Sequence, residues 1–152
     1  MIAAIIRDAT SDEVDEIARV FLAARLAILD IVPMVHPHHT VPDFIRRLMR
    51  EGRVVIAIMD QKIGAMMALA PGWIEALYVD PPFWNRGLGT ALLAHARHSA
   101  EACDGLTLWT FQANMRARRF YERHGFRAVA FTDGAGNEEK TPDVRYAWTP
   151  TA

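Results

Sequence analysis

Tyr78-Val79-Asp80-Pro81-Pro82-Phe83-Trp84-Asn85-Arg86-Gly87-Leu88-Gly89-Thr90 switches from one periodicity to another within a single turn. Trp73 to Val79 reads as a strand, and Asp80-Pro81-Pro82 stops it, because proline donates nothing to a ladder. Past Gly87 and Gly89, the residues Leu88, Ala91, Leu92, Leu93 and Ala96 recur at helical spacing and predict a helix over 87–103. Asp104-Gly105 then turns the chain into a strand over Leu106–Phe111. A strand, a helix and a strand of these lengths make a crossover long enough for a parallel pair, expected to be right-handed.

The rest of the chain builds outward from that unit. Ile2 to Arg7 reads as a short first strand. Ser11, with Asp12 and Glu13 in the first turn, starts a helix carrying Val14, Ile17, Ala18, Phe21 and Leu22 at helical spacing. Residues 31–42, with three prolines and three histidines, read as a loop. Thr40 and Asp43 have capping-box spacing and open a second amphipathic helix, which Gly52 closes. Val54–Met59 and Ile63–Ala70 form a hairpin through Asp60-Gln61-Lys62. Residues 115–124 are helical, Gly125 follows, and Phe126–Thr132 and Val144–Trp148 are the last strands. The order β-α-α-β-β-β-α-β-α-β-β predicts an α/β (α+β) domain. Its mixed, mostly antiparallel central sheet has about seven strands flanked by about four helices. No repeat or linker interrupts it, so residues 1–152 are expected to form a single domain.

Composition bounds the function. A length of 152 residues, 51% hydrophobic and 23% charged, describes an ordinary globular domain with a substantial core. The net charge of −1 argues against a nucleic-acid or membrane-surface protein. The lone Cys103 excludes an intrachain disulfide and a cysteine-based zinc site, and reads as a packing residue. The start of the chain has no basic segment before a long apolar stretch, so a cytoplasmic location is expected. Ile63 to Ile74 is too short to span a membrane. Under the neutral sum lies an asymmetry. Residues 86–127 hold seven arginines against Glu101, Asp104 and Glu122, a local excess of +4 that points to one anionic ligand rather than a polyanion.

The turn itself supplies a place for such a ligand. Gly87 and Gly89 let the backbone curl so that several N–H groups share one concavity. The helix dipole adds to them, and Arg86 adds a full charge. A Walker loop needs Gly-Lys-Ser/Thr where Gly89 is followed by Thr90-Ala91, and a dinucleotide fingerprint needs a third glycine where Leu92 stands. An isolated Gly-x-Gly serves equally as a plain helix-start turn. Here it does not stand alone, because Asn114-x-x-Ala117-x-x-Phe120-Tyr121-Glu122-x-x-Gly125-Phe126 follows on the second predicted helix.

Together the two segments resemble the GNAT superfamily of acyl-CoA-dependent N-acetyltransferases. Its Gln/Arg-x-x-Gly-x-Gly/Ala signature matches Trp84 to Gly89, apart from Trp84 at the first position. The resemblance implies acetyl-CoA as cosubstrate and no metal, with a small-molecule or peptide amine as acceptor. It implies that pantetheine lies against a splayed strand, held by the backbone of Leu77 and Val79. The N–H groups of Arg86, Gly87, Leu88, Gly89 and Thr90 would take the pyrophosphate, and Asn114 would hydrogen-bond the cofactor. Tyr121 would protonate the departing thiolate, for which a phenol with a pKa near that of the thiol is suited. By strict alternation Glu75 shares a face with Leu77 and Val79, which makes it the candidate base for the attacking amine. A homodimer is compatible with the resemblance.

Each residue also has a plainer reading. Tyr121 beside Phe120 is by itself a core aromatic, and Glu75 a solvated strand residue. Trp109 and Trp148 are expected in the core. His36, His38 and His39 belong to a solvent-facing or substrate-lining loop rather than a metal site. Arg116, Arg118, Arg119 and Arg123 form a solvated helix face, one or two of them near phosphates. Asn137, Glu138, Glu139 and Asp143 either line an acceptor site or make a hydrophilic loop. The overall reading is direct acetyl transfer to an amine, with a non-catalytic acyl-CoA sensor as the alternative.

Overall fold

Alternating apolar strands need covers on both faces, and four helices supply them in the computed structural model, which describes residues 3–151. The strands are β1 (Ile5–Asp8), β2 (Arg53–Met59), β3 (Lys62–Ala70), β4 (Trp73–Val79), β5 (Leu106–Phe111), β6 (Arg127–Phe131) and β7 (Asp143–Trp148). The helices are α1 (Val14–Leu26), α2 (Val41–Glu51), α3 (Leu88–Arg97) and α4 (Met115–Arg123). The seven strands form one sheet in the order β1-β2-β3-β4-β5-β7-β6. Every neighbouring pair is antiparallel except β4 and β5, so the expected α/β sheet, mixed and mostly antiparallel, is present.

Each sheet face has its own core. Val54, Ile56, Met66 and Ala68 pack with Ile17 and Phe21 of α1 and Ile45 of α2. Val55, Ala57, Met67 and Leu69 pack on the other side with Leu88, Leu92 and Leu93 of α3 and Tyr121 of α4. β3 is therefore buried on both faces, which explains its uninterrupted apolar run. The β2–β3 hairpin closes through Asp60 and Gln61, both with positive φ (54° and 63°), as a two-residue turn matched to the strand twist requires.

Several boundaries differ from the sequence expectation. The first strand begins at Ile5, and Ile2 lies outside the described residues. The first helical turn is capped one residue early, by Thr10, whose N–H donates to the Glu13 carboxylate at 2.8 Å. Thr40 and Asp43 do not form a capping box: Thr40 Oγ1 donates to the Pro37 carbonyl at 2.6 Å, and Asp43 accepts from Arg46 at 2.7 Å. The helix predicted over 87–103 ends at Arg97. His98 Nδ1 and Ser99 Oγ engage the carbonyls of Ala94 and Ala96 (2.7 and 2.6 Å), and side chains that take carbonyls in this way divert the backbone from the helix. A separate single turn, Ala100–Ala102, follows. Cys103 is exposed rather than packed. Trp109 is 45% exposed, because no helix covers that face of β5.

Candidate active site

The parallel pair does not stay paired. β4 and β5 meet at Trp73 and Thr107, where Thr107 N–H reaches the Gly72 carbonyl at 2.8 Å, and the strands part beyond that point. Asp80 N–H donates to the Gly64 carbonyl of the β3 side at 2.9 Å. Alternation then turns the polar groups of Tyr78 toward β3 and those of Leu77 and Val79 toward the gap. The Val79 carbonyl is already taken by the Trp84 indole N–H at 2.8 Å, so of its polar groups the N–H remains for the gap. Leu77 offers both.

The gap opens into a cleft of about 480 Å³ lined by residues of α1, β4, β5, α3 and α4. At one end lies the turn into α3. Gly87 holds φ +86°, and a Cβ placed there would meet nothing within 4 Å. The first helical bond runs from Ala91 N–H to the Gly87 carbonyl at 3.0 Å. The N–H groups of Leu88, Gly89 and Thr90 therefore lack helical partners and present a positive helix end to the cleft. Gly89 serves a purpose the sequence did not announce. A Cβ at that position would stand 3.0 Å from the Phe120 ring, so its smallness lets α4 approach α3.

Of the expected site residues, Glu75, Leu77, Val79, Gly87, Leu88, Gly89, Thr90, Asn114 and Tyr121 line this one cleft. Arg86 does not belong to the lining; the turn carries it over Phe83 and into a 2.9 Å pair with Asp60 at the β2–β3 hairpin. Positive charge comes instead from Arg116, Arg119 and Arg123, which occupy one face of α4 and line the cleft. Arg116 stacks on Trp84 at 4.0 Å and reaches the Asn85 side chain at 3.3 Å. Arg118, on the opposite side of the helix, binds Tyr146 Oη and the Gln112 carbonyl. Spacing of three and four residues along 116, 119 and 123 was the available signal for this split.

The remaining candidates have definite surroundings. Asn114 caps α4, its Oδ1 accepting from Ala117 N–H at 3.2 Å, which leaves its amide NH₂ for the cleft. Tyr121 is 7% exposed and stacks edge-on against Phe120 and Phe126. Burial, reinforced by Tyr78, holds its phenol well above the ordinary value, not near that of a thiol. Glu75 lines the cleft but not for the reason that alternation gave. The β3–β4 register slips between Ala68/Ala76 and Leu69/Ile74, so Glu75 is the bulged residue. In consequence Ile74, rather than Glu75, shares the α3 side of the sheet with Leu77 and Val79. Thr90 Oγ1 contacts His124 Nε2 at 3.2 Å. Burial and the nearby Arg97 and Arg123 hold that imidazole below its usual value.

The histidine loop is tied elsewhere. His36 Nε2 meets Glu138 at 2.6 Å, joining the segment after α1 to the β6–β7 loop. Asn137 binds the Thr141 carbonyl and Asp143 within that loop. Among the described residues no three metal-ligating side chains converge, and no helix is long and apolar enough to cross a membrane.

The sheet is thus split between its parallel strands, and a helix N-terminus and a buried phenol share the opening. The sequence pattern of the acetyltransferase (GNAT) family matches residues 22–126, more than half of the chain, and the chain belongs to that family. Solved structures share the fold. The apo form of YjaB from Escherichia coli is similar with a TM-score of 0.78 at 21% identity, over 98% of this chain and 99% of that one. A GNAT-family acetyltransferase from Bacillus cereus is similar with a TM-score of 0.77 at 16% identity, over 99% of both chains. The ribosomal-protein-S18-alanine N-acetyltransferase of Escherichia coli gives 0.76 at 16% identity, over 99% of this chain and 96% of that one. At these identities the likeness is one of fold. No sequence among the curated proteins matches this one.

Proposed function

We propose that the chain transfers acetyl from acetyl-CoA to a primary amine of a small molecule or peptide, by direct attack and without a covalent enzyme intermediate. The observation that carries this reading is the convergence, in one cleft, of a helix N-terminus, an open strand edge, Tyr121 and Glu75. The donor set fits such a cosubstrate: three unpaired N–H groups, the open space at Gly87 and three arginines suit a pyrophosphate, and the slender edge of β4 suits an amide-bearing arm.

Acetyl-CoA supplies the acetyl group already activated as a thioester. Leu77 N–H, facing the gap, polarises the carbonyl that is attacked. Glu75 receives the amine's proton through water, since only the neutral amine has a lone pair. That first proton passes on to solvent. As the C–N bond forms and the C–S bond breaks, nitrogen yields a second proton to Glu75 through water while Tyr121 donates from Oη to the departing sulfur. The second proton returns to the phenol through solvent, so one proton is released per turnover. Because burial raises its pKa, Tyr121 stays protonated wherever the amine is neutral. The proposed setting is the cytoplasm, with no nucleic acid as partner and a second copy of the chain as a compatible one.

The test is CoA release from acetyl-CoA across a panel of amines, together with Tyr121→Phe. Turnover is expected with at least one amine, and the variant is expected to lose about 100-fold or more in kcat with acetyl-CoA affinity retained. No alkaline loss of rate is expected near pH 10, where an ordinary tyrosine ionises. CoA binding without release by any amine would overturn the reading and leave an acyl-CoA sensor. An unchanged rate in the variant would remove Tyr121 from the proton donation.

A further inference from the structure

Ala24, Ile28, Trp109 and Phe111 line the cleft and belong to neither core. Ala24 stands in the last turns of α1 and Ile28 just past its end, while the two aromatic residues come from β5. Leu106 and Leu108 of β5 pack into the α3–α4 core. Alternation therefore turns Trp109 and Phe111 to the opposite face of the sheet, the face that α1 covers farther along. Trp109 is left 45% exposed there. A large aromatic surface left open inside a cleft marks a place where something binds.

Charge divides the cleft in the same way. Among the described residues, Arg116, Arg119 and Arg123 supply the positive charge of the lining from α4, and Glu75 is its one carboxylate. Counted from the parallel pair Trp73 and Thr107, Glu75 and Trp109 lie two residues along their strands, level with one another across the split. The bulge takes Glu75 off the α3 side, and Glu75 is exposed. Arg145 of β7 lies 5.9 Å from the indole ring and is not part of the lining. The wall across from α4 thus offers an open indole, a phenyl ring and aliphatic groups around a single negative charge. An ammonium is attracted there, whereas a carboxylate meets a like charge and an apolar surface that cannot solvate it.

We infer that the acceptor is a primary amine carried on an apolar, ring-bearing body without a carboxylate, its ring against Trp109 and Phe111 and its nitrogen toward Glu75. A flat ring covers an indole in the offset or edge-on arrangements that aromatic pairs prefer. The inference rests on the acyl-transfer reading for the identity of the second substrate, but the aromatic wall is testable without turnover.

Calorimetry with the CoA-saturated protein compares phenethylamine, ethylamine and phenylalanine. Phenethylamine is expected to bind roughly 10- to 100-fold more tightly than ethylamine, the span that burying one phenyl ring supplies. It is expected to bind about 10-fold or more tightly than phenylalanine, whose carboxylate meets the same wall. In Trp109→Ala the advantage over ethylamine is expected to shrink by about 5-fold or more, while Trp109→Phe keeps most of it. Ethylamine affinity and Tm are expected to hold in both variants, because Trp109 belongs to neither core. Equal binding of the two amines, no binding of phenethylamine, phenylalanine bound as tightly as phenethylamine, or an undiminished ratio in Trp109→Ala would overturn the proposal. CoA release measured in parallel separates the two readings. A preference for the ring without CoA release by any amine sinks acetyl transfer and keeps the aromatic wall. CoA release with no preference for the ring does the reverse.

Discussion

An added methyl group meets different obstacles at the two glycines of the turn into α3. At Gly87 an added Cβ finds open space, and what forbids it is the backbone φ of +86°, a region that costs other residues roughly 1–2 kcal/mol. At Gly89 the backbone is helical, and what forbids it is Phe120, 3.0 Å away. Within a helix, alanine gains about 0.5–1 kcal/mol over glycine, while overpacking a tight contact costs about 1–3 kcal/mol. Gly89→Ala is therefore expected to lower stability by about 1 kcal/mol in the natural background and to raise it in a Phe120→Leu background. Urea unfolding of the four proteins checks the reversal; two independent, additive effects would remove Phe120 as the reason for the glycine. Both glycines were legible in the sequence as a pair, but their division of labour was not, since it depends on a residue thirty-one positions away.

At the scale of elements, the entry into α1 shows how local charge fastens a strand to a helix. Arg7 of β1 donates to both oxygens of Glu13 (2.9 and 2.7 Å), and Thr10 N–H adds a third bond. The Arg7 guanidinium, outweighing partial burial, draws the Glu13 carboxyl from 4.5 down to about 2. A carboxyl depressed by folding stabilises the native state above its unfolded pKa and ceases to do so as pH falls through the folded one. The stability gap between the natural chain and Glu13→Gln is thus expected to be full above pH 4.5 and to close by about pH 2. Thermal unfolding across that range measures it, and a gap independent of pH would contradict the coupling. Helical and strand periods were enough to place every element of this sheet, because the apolar residues repeat with little ambiguity. What they missed were events decided by single side chains: the Ser99 hydroxyl ending α3, the bulge at Glu75 that inverts the facing of Ile74, and Asp60 drawing Arg86 out of the site. None of these leaves a mark on periodicity.

For the whole molecule, the cleft is a strand's width of missing sheet. β5, β7 and β6 are joined to the rest of the sheet by one residue pair at Trp73 and Thr107 and by the core beneath α3 and α4. An arm in the gap is expected to pair with the Val79 N–H and the Leu77 carbonyl, so CoA at about 100 times its Kd is expected to raise Tm by roughly 5–10 °C. Hydrogen exchange should slow at Val79 N–H in particular; protection confined to the α3 turn would mean that the arm does not lie along β4. The split has a second consequence, for how the protein keeps company with itself. Unpaired strand edges invite pairing with other chains. The two outer edges are guarded in ordinary ways, β1 by being four residues long and β6 by a bulge at Val129. The inner pair is guarded by confinement: the gap narrows to contact at Trp73, and α3 and α4 cover one side of it. A seam closed at one end and covered by α3 and α4 is thus expected to resist strand addition by another copy, so the chain without ligand is expected to form no edge-to-edge polymers.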